Sequence, residues 1–100
     1  MKHLNIIIKG RVQRVGFRFR TMEAAYKYGV SGIVMNQDDN TVYIEAEGEE
    51  EALEKFLAWC HRGPLGAKVE QVDPHEGDLK NYSSFEIKSR TRWQNNGNKE

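Results

Sequence analysis

The chain has 100 residues, 15 basic and 15 acidic side chains, a formal net charge of zero and one cysteine. This length is typical of one domain with one hydrophobic core. The balanced charge excludes a global field that recruits nucleic acid or membrane, so any anion site must be local. Cys60 alone excludes an intrachain disulfide and a cysteine-based metal site. Because the sequence shows no signal-peptide pattern and no apolar run of about 20 residues, we expect a soluble, cytoplasmic protein.

The first half of the chain predicts a strand, a helix and a hairpin. Residues 3–8 are apolar and β-branched around Ile6, which is typical of a buried central strand. Residues 17–28 follow a helical pattern, and Gly29 is well suited to end that helix. Residues 30–35 and 41–46 predict two strands, which the polar turn 36–40 joins into a hairpin.

The second half predicts a helix, a strand, a loop and a last strand. Acidic residues 49–51 begin a helix that runs to Arg62. Residues 67–72 predict a fourth strand, and residues 73–80 predict a polar loop. Residues 82–87 predict a fifth strand with Phe85 and Ile87 pointing inward. Residues 89–100 predict a polar tail that frays, with Trp93 as the apolar residue available to dock it.

The element order is βαββαβ with a short extra strand near the end, and it predicts the α+β class. Two crossovers that place both helices on one face of an antiparallel sheet give the ferredoxin-like sandwich. Many unrelated activities share this fold, so the function must be argued from a site.

The strongest candidate site is the stretch KGRVQRVGFR, residues 9–18. It leads from a strand through two glycines into a helix start, so backbone N–H groups and the positive end of the helix dipole converge there. Arg11, Arg14 and Arg18 add charge, and the planar guanidinium can hold two phosphate oxygens at once. The stretch is neither a Walker A loop nor a dinucleotide fingerprint. A plain strand-to-helix turn with solvated arginines fits the same spacing, so both interpretations stay open here.

The other polar candidates are weaker. His3, His61 and His75 lack the spacing of metal ligands, and we expect each of them at the surface. Cys60 is predicted to be a small core residue of the second helix. Asn36, at the end of a strand, fits a turn former when its position alone is considered.

Two motifs together carry a family resemblance. GRVQRVGFR at residues 10–18 and GIVMN at residues 32–36 resemble the acylphosphatase family, and the similarity continues to about Ile87. Acylphosphatases are small ferredoxin-like enzymes that hydrolyse carboxyl-phosphate mixed anhydrides without a metal. The resemblance implies a domain over residues 1–88, a small acyl phosphate as substrate and inorganic phosphate as product. It also implies no cofactor, and a monomer that binds neither nucleic acid nor membrane.

Carried over residue by residue, the resemblance implies that Arg18 and Asn36 are the catalytic residues. Arg18 would grip the phosphate, and Asn36 would orient the attacking water. An acyl phosphate has a good leaving group, so no side chain has to act as a strong base. The remaining phosphate contacts would come from the loop amides of Val12, Gln13, Arg14, Val15 and Gly16.

Two positions depart from the family pattern. Arg14 stands where the family usually has glycine, and a non-glycine residue held in a left-handed conformation costs about 1–2 kcal/mol. Its side chain either competes with Arg18 for the anion, covers the pocket, or points outward and adds positive potential. Asn40 stands where the family often has glycine, and asparagine tolerates the same turn.

Two alternative functions follow from these observations. The presence of Arg14 in the loop of residues 12–16 suggests one alternative, a module that holds phosphate, an acyl phosphate or carbamoyl phosphate without hydrolysing it. RNA binding is the other alternative, because the sheet face of this fold can stack bases. The sequence argues against RNA binding, since Tyr43 is the only exposed-looking aromatic of the central hairpin and the Lys/Arg-Gly-aromatic signature is absent.

Overall fold

A computed structural model describes residues 1–89 of the chain. Over that range the elements follow the predicted order: β1 Lys2–Arg11, α1 Phe17–Tyr28, β2 Ser31–Asn36, β3 Val42–Gly48, α2 Glu50–Arg62, β4 Lys68–Gly77 and β5 Phe85–Lys88. The predicted end of α1 is confirmed, because the N–H of Gly29 closes the helix on the carbonyl of Ala25. The fraying or docking of the tail through Trp93 lies outside the described residues. Neither helix within residues 1–89 has the length and apolar character needed to cross a bilayer.

The described strands form one sheet in the order β4-β1-β3-β2-β5. The first four strands pair antiparallel, as the ferredoxin-like sandwich requires. β5 pairs parallel with β2 at one edge, a detail that the antiparallel prediction did not include. The predicted α+β, ferredoxin-like fold is confirmed. The parallel pairing places the ends of β2 and β5 side by side.

One face of the sheet packs against both helices and forms the core. Side chains alternate along each strand, so Ile6 of β1 and Ile44 of β3 meet as a fully buried pair on this face. The helices contribute Ala25, Phe56 and Cys60, which are also fully buried. The predicted core position of Cys60 is confirmed. Burial raises the pKa of its thiol, so the residue is an inert part of the core.

The prediction of a loop at residues 73–80 is wrong for residues 73–77. β4 continues from Asp73 to Gly77 and pairs with β1 as far as His3. These residue types are depleted in strands, so the sequence pattern indicated a loop. They are tolerated here because β4 is an edge strand, which is the position in a sheet where proline is commonly found. The remaining connection, residues 78–84, crosses from this edge to β5 at the opposite edge, and we call it the strap.

The sheet face opposite the helices is polar and lies beneath the strap. The strap donates the backbone N–H groups of Lys80 and Tyr82 to the Glu47 carboxylate. His3 Nδ1 donates to the same carboxylate at 2.7 Å. Only 1% of the His3 surface is exposed, so the prediction of a surface position is wrong for this residue. Its buried partner lies 44 positions away in the sequence, and no local pattern reveals that pairing.

The other two histidines and the aromatic residue of the hairpin are simpler to place. His61 and His75 are exposed, as predicted. Tyr43 is half-buried on the polar face, and its hydroxyl donates to Glu45 at 2.7 Å. This tyrosine is part of the hydrogen-bond network under the strap and does not present an open ring for stacking.

Candidate active site

Residues 12–16 connect β1 to α1 through left-handed backbone. Gly16, with φ of 75°, is the N-cap of α1, and the helix start receives no side-chain cap from the described residues. The first-turn N–H groups therefore point into the space in front of the helix. A helix N-terminus carries a partial charge of roughly +0.5, so this space favours an anion.

The backbone of Arg14 confirms that the loop requires a left-handed residue. Its φ is 64°, a conformation that glycine adopts freely and that costs other residues about 1–2 kcal/mol. The side chain is exposed, and the residue lines the cavity described next. Arg14 thus adds a solvated positive charge to the site at the expense of local strain.

A cavity of about 180 Å³ lies in front of α1. Arg18, in the first turn of α1, and Asn36, the last residue of β2, both line it. The two residues predicted to be catalytic are therefore brought together by elements that are separate in sequence. The rest of the lining consists of Arg14, Gly16, Phe17, Phe19 and Ile87. Acidic residues do not contribute to the lining that residues 1–89 form, so the site is positively charged.

The Arg18 guanidinium lies beside the end of β5. Its Nη1 is 3.5 Å from the carbonyl oxygen of Lys88, which is long for a hydrogen bond. The parallel register pairs Lys88 with Met35, directly before Asn36. This contact orients the side chain but uses little of the capacity of its five N–H donors. The planar fork therefore remains available for two oxygens of a phosphate group.

Asn36 presents a buried acceptor with no partner. Its Oδ1 is inaccessible to solvent and accepts no hydrogen bond from residues 1–89. Turn formation does not explain the side chain, because other groups hold the β2–β3 turn. Gln37 N donates to the Thr41 carbonyl at 2.9 Å, and Asp39 Oδ1 accepts from Thr41 N at 3.1 Å. The turn therefore does not use the acceptor of Asn36, and the residue lines the cavity.

The loop side chains other than Arg14 do not reach into the cavity. Val12 is buried in the core, and Val15 packs against it. Gln13 Nε2 donates to the carbonyls of Gln37 and Thr41, each at 2.8 Å. These side chains brace the loop against the core and the β2–β3 turn.

Phe19 and Ile87 line the cavity although the sequence did not indicate them. Ile87 was predicted to point into the core, but 39% of its surface is exposed, whereas Phe85 is buried. Phe85 and Ile87 share a face of β5, and Ile87 lies beyond the packed core beside the start of α1. Phe19 is 50% exposed. A single aromatic residue on an exposed helix face gives no sequence signal of the cavity that it borders.

Potential metal ligands do not cluster in the part of the chain that the structure describes. Within residues 1–89 there is no group of three or more His, Cys, Asp or Glu residues arranged to hold a metal ion. The positive charge at the cavity comes from Arg14, Arg18 and the helix terminus.

The chain is similar in sequence and in fold to known acylphosphatases. The acylphosphatase family model matches residues 4–87. An acylphosphatase of Thermotoga petrophila is 47% identical over 88 residues, which cover 88% of this chain and 98% of the relative. The crystal structure of an acylphosphatase from Bacillus subtilis matches with a TM-score of 0.86 at 38% identity, covering 88% of this chain and 99% of that one.

A crystal structure of full-length HypF in a phosphate- and nucleotide-bound form also matches, with a TM-score of 0.83 at 35% identity. That match covers 89% of this chain but only 12% of the HypF chain. The acylphosphatase relatives, by contrast, are matched over nearly their whole length. Since the family match spans most of the sequence, including both motifs that converge on the cavity, the chain belongs to the acylphosphatase family and is an enzyme that hydrolyses acyl phosphates.

Proposed function

We propose that the enzyme cleaves the carboxyl-phosphate bond by direct attack of water on phosphorus, without a metal ion. Arg18 and the backbone N–H groups of residues 12–16 bind the phosphate, and Asn36 orients the water. The observation that carries this proposal is the convergence of Arg18, Asn36 and the N-terminus of α1 on one cavity.

The phosphate is held by charge and by fixed dipoles. As the bond to the leaving carboxylate lengthens, charge spreads over the equatorial phosphate oxygens. The Arg18 fork and the N-terminus of α1 stabilise that charge without reorganising, because both are in place before the substrate arrives. Gly16 is needed for this geometry, since its left-handed backbone turns the loop into the helix start.

The water is positioned by an uncharged side chain. A rotation of the Asn36 side chain that brings Oδ1 to the cavity lets it accept one O–H of the water, which leaves a lone pair of the water oxygen for the attack on phosphorus. A bond forms from the water oxygen to phosphorus, and the bond from phosphorus to the acyl oxygen breaks. The carboxylate leaves with the electron pair, and the water proton passes to a phosphate oxygen of the substrate. Because the carboxylate is a good leaving group, no protein base is required.

Metal independence is supported by the groups that line the cavity. Mg²⁺ prefers carboxylate and other oxygen ligands, whereas the charged side chains present here are Arg14 and Arg18. Arginine can supply the charge stabilisation that a metal provides in other phosphoryl transfers.

The deciding experiment is the hydrolysis of benzoyl phosphate by the purified protein in the presence of EDTA. Arg18→Ala is expected to lower kcat/KM by about 10²–10³, because it removes a preorganised group that stabilises the transition state. Arg62→Ala is the matched control, since Arg62 is an exposed arginine outside the cavity. Retained activity in Arg18→Ala, or wild-type turnover that EDTA abolishes, would contradict the mechanism.

Asn36→Ala tests the water-orienting role separately. We expect kcat to fall by about 10²-fold while the free energy of unfolding does not fall, because the change removes a buried acceptor that has no partner. A variant that loses stability along with activity would instead indicate a structural role for Asn36.

The strained Arg14 in the phosphate loop motivates one alternative function, which the match to acylphosphatases over nearly their whole length makes the weaker of the two. In that alternative the loop of residues 12–16 holds phosphate, an acyl phosphate or carbamoyl phosphate without hydrolysis. Tight phosphate binding by a folded wild-type protein that shows no turnover would favour it, and recovery of turnover in Arg14→Gly would trace the loss to this residue. A cytoplasmic location, a monomeric state and the absence of nucleic-acid and membrane partners stay predictions, as does the division into a domain over residues 1–88 and a tail.

A further inference from the structure

The cavity has room for more than the phosphate group. Its volume is about 180 Å³. A cavity holds one water molecule when about 10–15 Å³ of it is open to the centre of the water. About 180 Å³ is open in this sense, so a phosphate and a water at Arg18 and Asn36 leave space beside them for part of the acyl group.

Two apolar side chains border the remaining space. Phe19 comes from the first turn of α1 and Ile87 from β5, and both line the cavity. They are 50% and 39% exposed, although each has the size of a core residue. Exposed apolar side chains that flank a few convergent polar groups are typical of small-molecule sites. The rim formed by these two residues therefore offers contact area to an apolar part of the substrate.

The Phe19 ring is held in place from one side. The guanidinium carbon of Arg20 lies 5.8 Å from the ring centroid, within the range of a cation–π contact. Arg20 also forms a solvent-exposed ion pair with Glu23 at 2.8 Å, which favours this placement of the guanidinium. A ring that is positioned before binding loses less conformational freedom when a ligand packs against it.

We propose that Phe19 and Ile87 form an acyl-group subsite, which makes the enzyme prefer acyl phosphates with an aromatic or bulky apolar acyl group over acetyl phosphate. This inference rests on the proposed function, because that function fixes the phosphate at Arg18. The competing possibility is an anionic acyl group that contacts Arg14. The apolar assignment is favoured because the exposed Arg14 charge is screened by solvent, whereas both rim residues gain from being covered.

The kinetic test compares benzoyl phosphate with acetyl phosphate. In the wild type the kcat/KM ratio should favour benzoyl phosphate, and Phe19→Ala and Ile87→Ala should each lower that ratio by about five- to tenfold. Leu65→Ala is the control, since it truncates a fully exposed apolar side chain outside the cavity. An unchanged ratio in both rim variants, or a wild-type preference for acetyl phosphate, would overturn the subsite.

A binding measurement decides the subsite independently of turnover. Calorimetry would give the Kd of three stable probes: methylphosphonate, benzylphosphonate and 3-phosphonopropionate. We expect benzylphosphonate to bind the wild type most tightly and to lose about five- to tenfold in affinity in Phe19→Ala, with methylphosphonate unchanged. Tighter binding of 3-phosphonopropionate would assign the space to an anionic group through Arg14. If no acyl phosphate were hydrolysed, the proposed function would fail, and the ranking of the three probes would still test the rim.

Discussion

Two residues at the cavity are held in states that their own chemistry disfavours. Asn36 keeps a buried acceptor without a partner, which costs about 1–3 kcal/mol, and Arg14 keeps a left-handed backbone, which costs about 1–2 kcal/mol. Most buried acceptors in proteins are satisfied, and most left-handed positions carry glycine or asparagine. Because both exceptions border the same 180 Å³ cavity, the local cost is concentrated where the substrate binds.

Arg14→Gly is expected to raise the free energy of unfolding by about 0.5–1 kcal/mol. Relief of the left-handed strain contributes about 1–2 kcal/mol, and the greater freedom of glycine in the unfolded chain offsets roughly 0.5–1 kcal/mol of it. The loss of a solvated charge beside the cavity should raise KM for an acyl phosphate about two- to fivefold. Urea denaturation and steady-state kinetics measure the two effects.

Arg14→Ala separates the backbone from the charge. It removes the same guanidinium but keeps a Cβ in the left-handed conformation, so KM should rise as in Arg14→Gly without a gain in stability. Equal stability gains in the two variants would show that the side chain, and not the backbone, is the source of the strain.

Among the connections between elements, the strap crosses the whole width of the described sheet. It links the two edge strands of the described sheet across its polar face, and its backbone is anchored on one carboxylate, that of Glu47. His3 donates to the same group from β1. β5, which follows the strap, ends at Lys88 beside Arg18. The anchor of the strap therefore also supports the strand that borders the active site.

Glu47→Gln is expected to lower the free energy of unfolding by about 2–4 kcal/mol, because it removes a buried charge that three donors stabilise. Glu76→Gln is the matched control, since Glu76 is an exposed glutamate of β4 and should change stability by less than about 0.5 kcal/mol. Urea denaturation of both variants gives the comparison. A loss below 1 kcal/mol in Glu47→Gln would show that the strap is held mainly by other contacts.

For the whole molecule, periodic patterns predicted the architecture well. The apolar alternation of β3 and the glycine that ends α1 are local signals, and each was placed correctly. The extension of β4 was missed because edge-strand pairing tolerates Asp73 and Pro74, whose local preferences are against strands. The burial of His3 was missed because its partner is supplied by tertiary structure.

The candidate site shows the same limit. The loop and Arg18 form a continuous motif that the sequence indicated directly, whereas Asn36 was indicated only through the family resemblance. The cavity rim depends instead on where β5 ends relative to α1, a relation that sequence periodicity does not contain. Ile87 was accordingly assigned to the core, although its face of the strand was predicted correctly.

The buried carboxylates of the polar face lead us to expect that the stability of the molecule depends on pH in the acidic range. Burial would raise the pKa of Glu45, but hydrogen bonds from Tyr82, Tyr43 and Lys80 outweigh it and lower the pKa from 4.5. Burial would also raise the pKa of Glu47. Hydrogen bonds from Lys80, His3 and Tyr82 outweigh this effect and lower the pKa of Glu47 from 4.5. A lowered folded-state pKa contributes stability above the unfolded value of 4.5, and that stability is lost as pH falls through the folded pKa.

The alkaline end should have the opposite sign. Burial, with Glu45 adding to it, raises the pKa of Tyr43 and Tyr82 above 10, and burial raises that of Cys60 above 9. Groups with a raised folded-state pKa stabilise the protein below the unfolded value and lose this contribution as pH rises through the folded one. We therefore expect the free energy of unfolding to be level between about pH 5 and 9 and to fall on both sides. Urea denaturation from pH 3 to 11 measures this, and stability that stayed constant from pH 5 to 3 would show that the buried carboxylates do not couple folding to protonation.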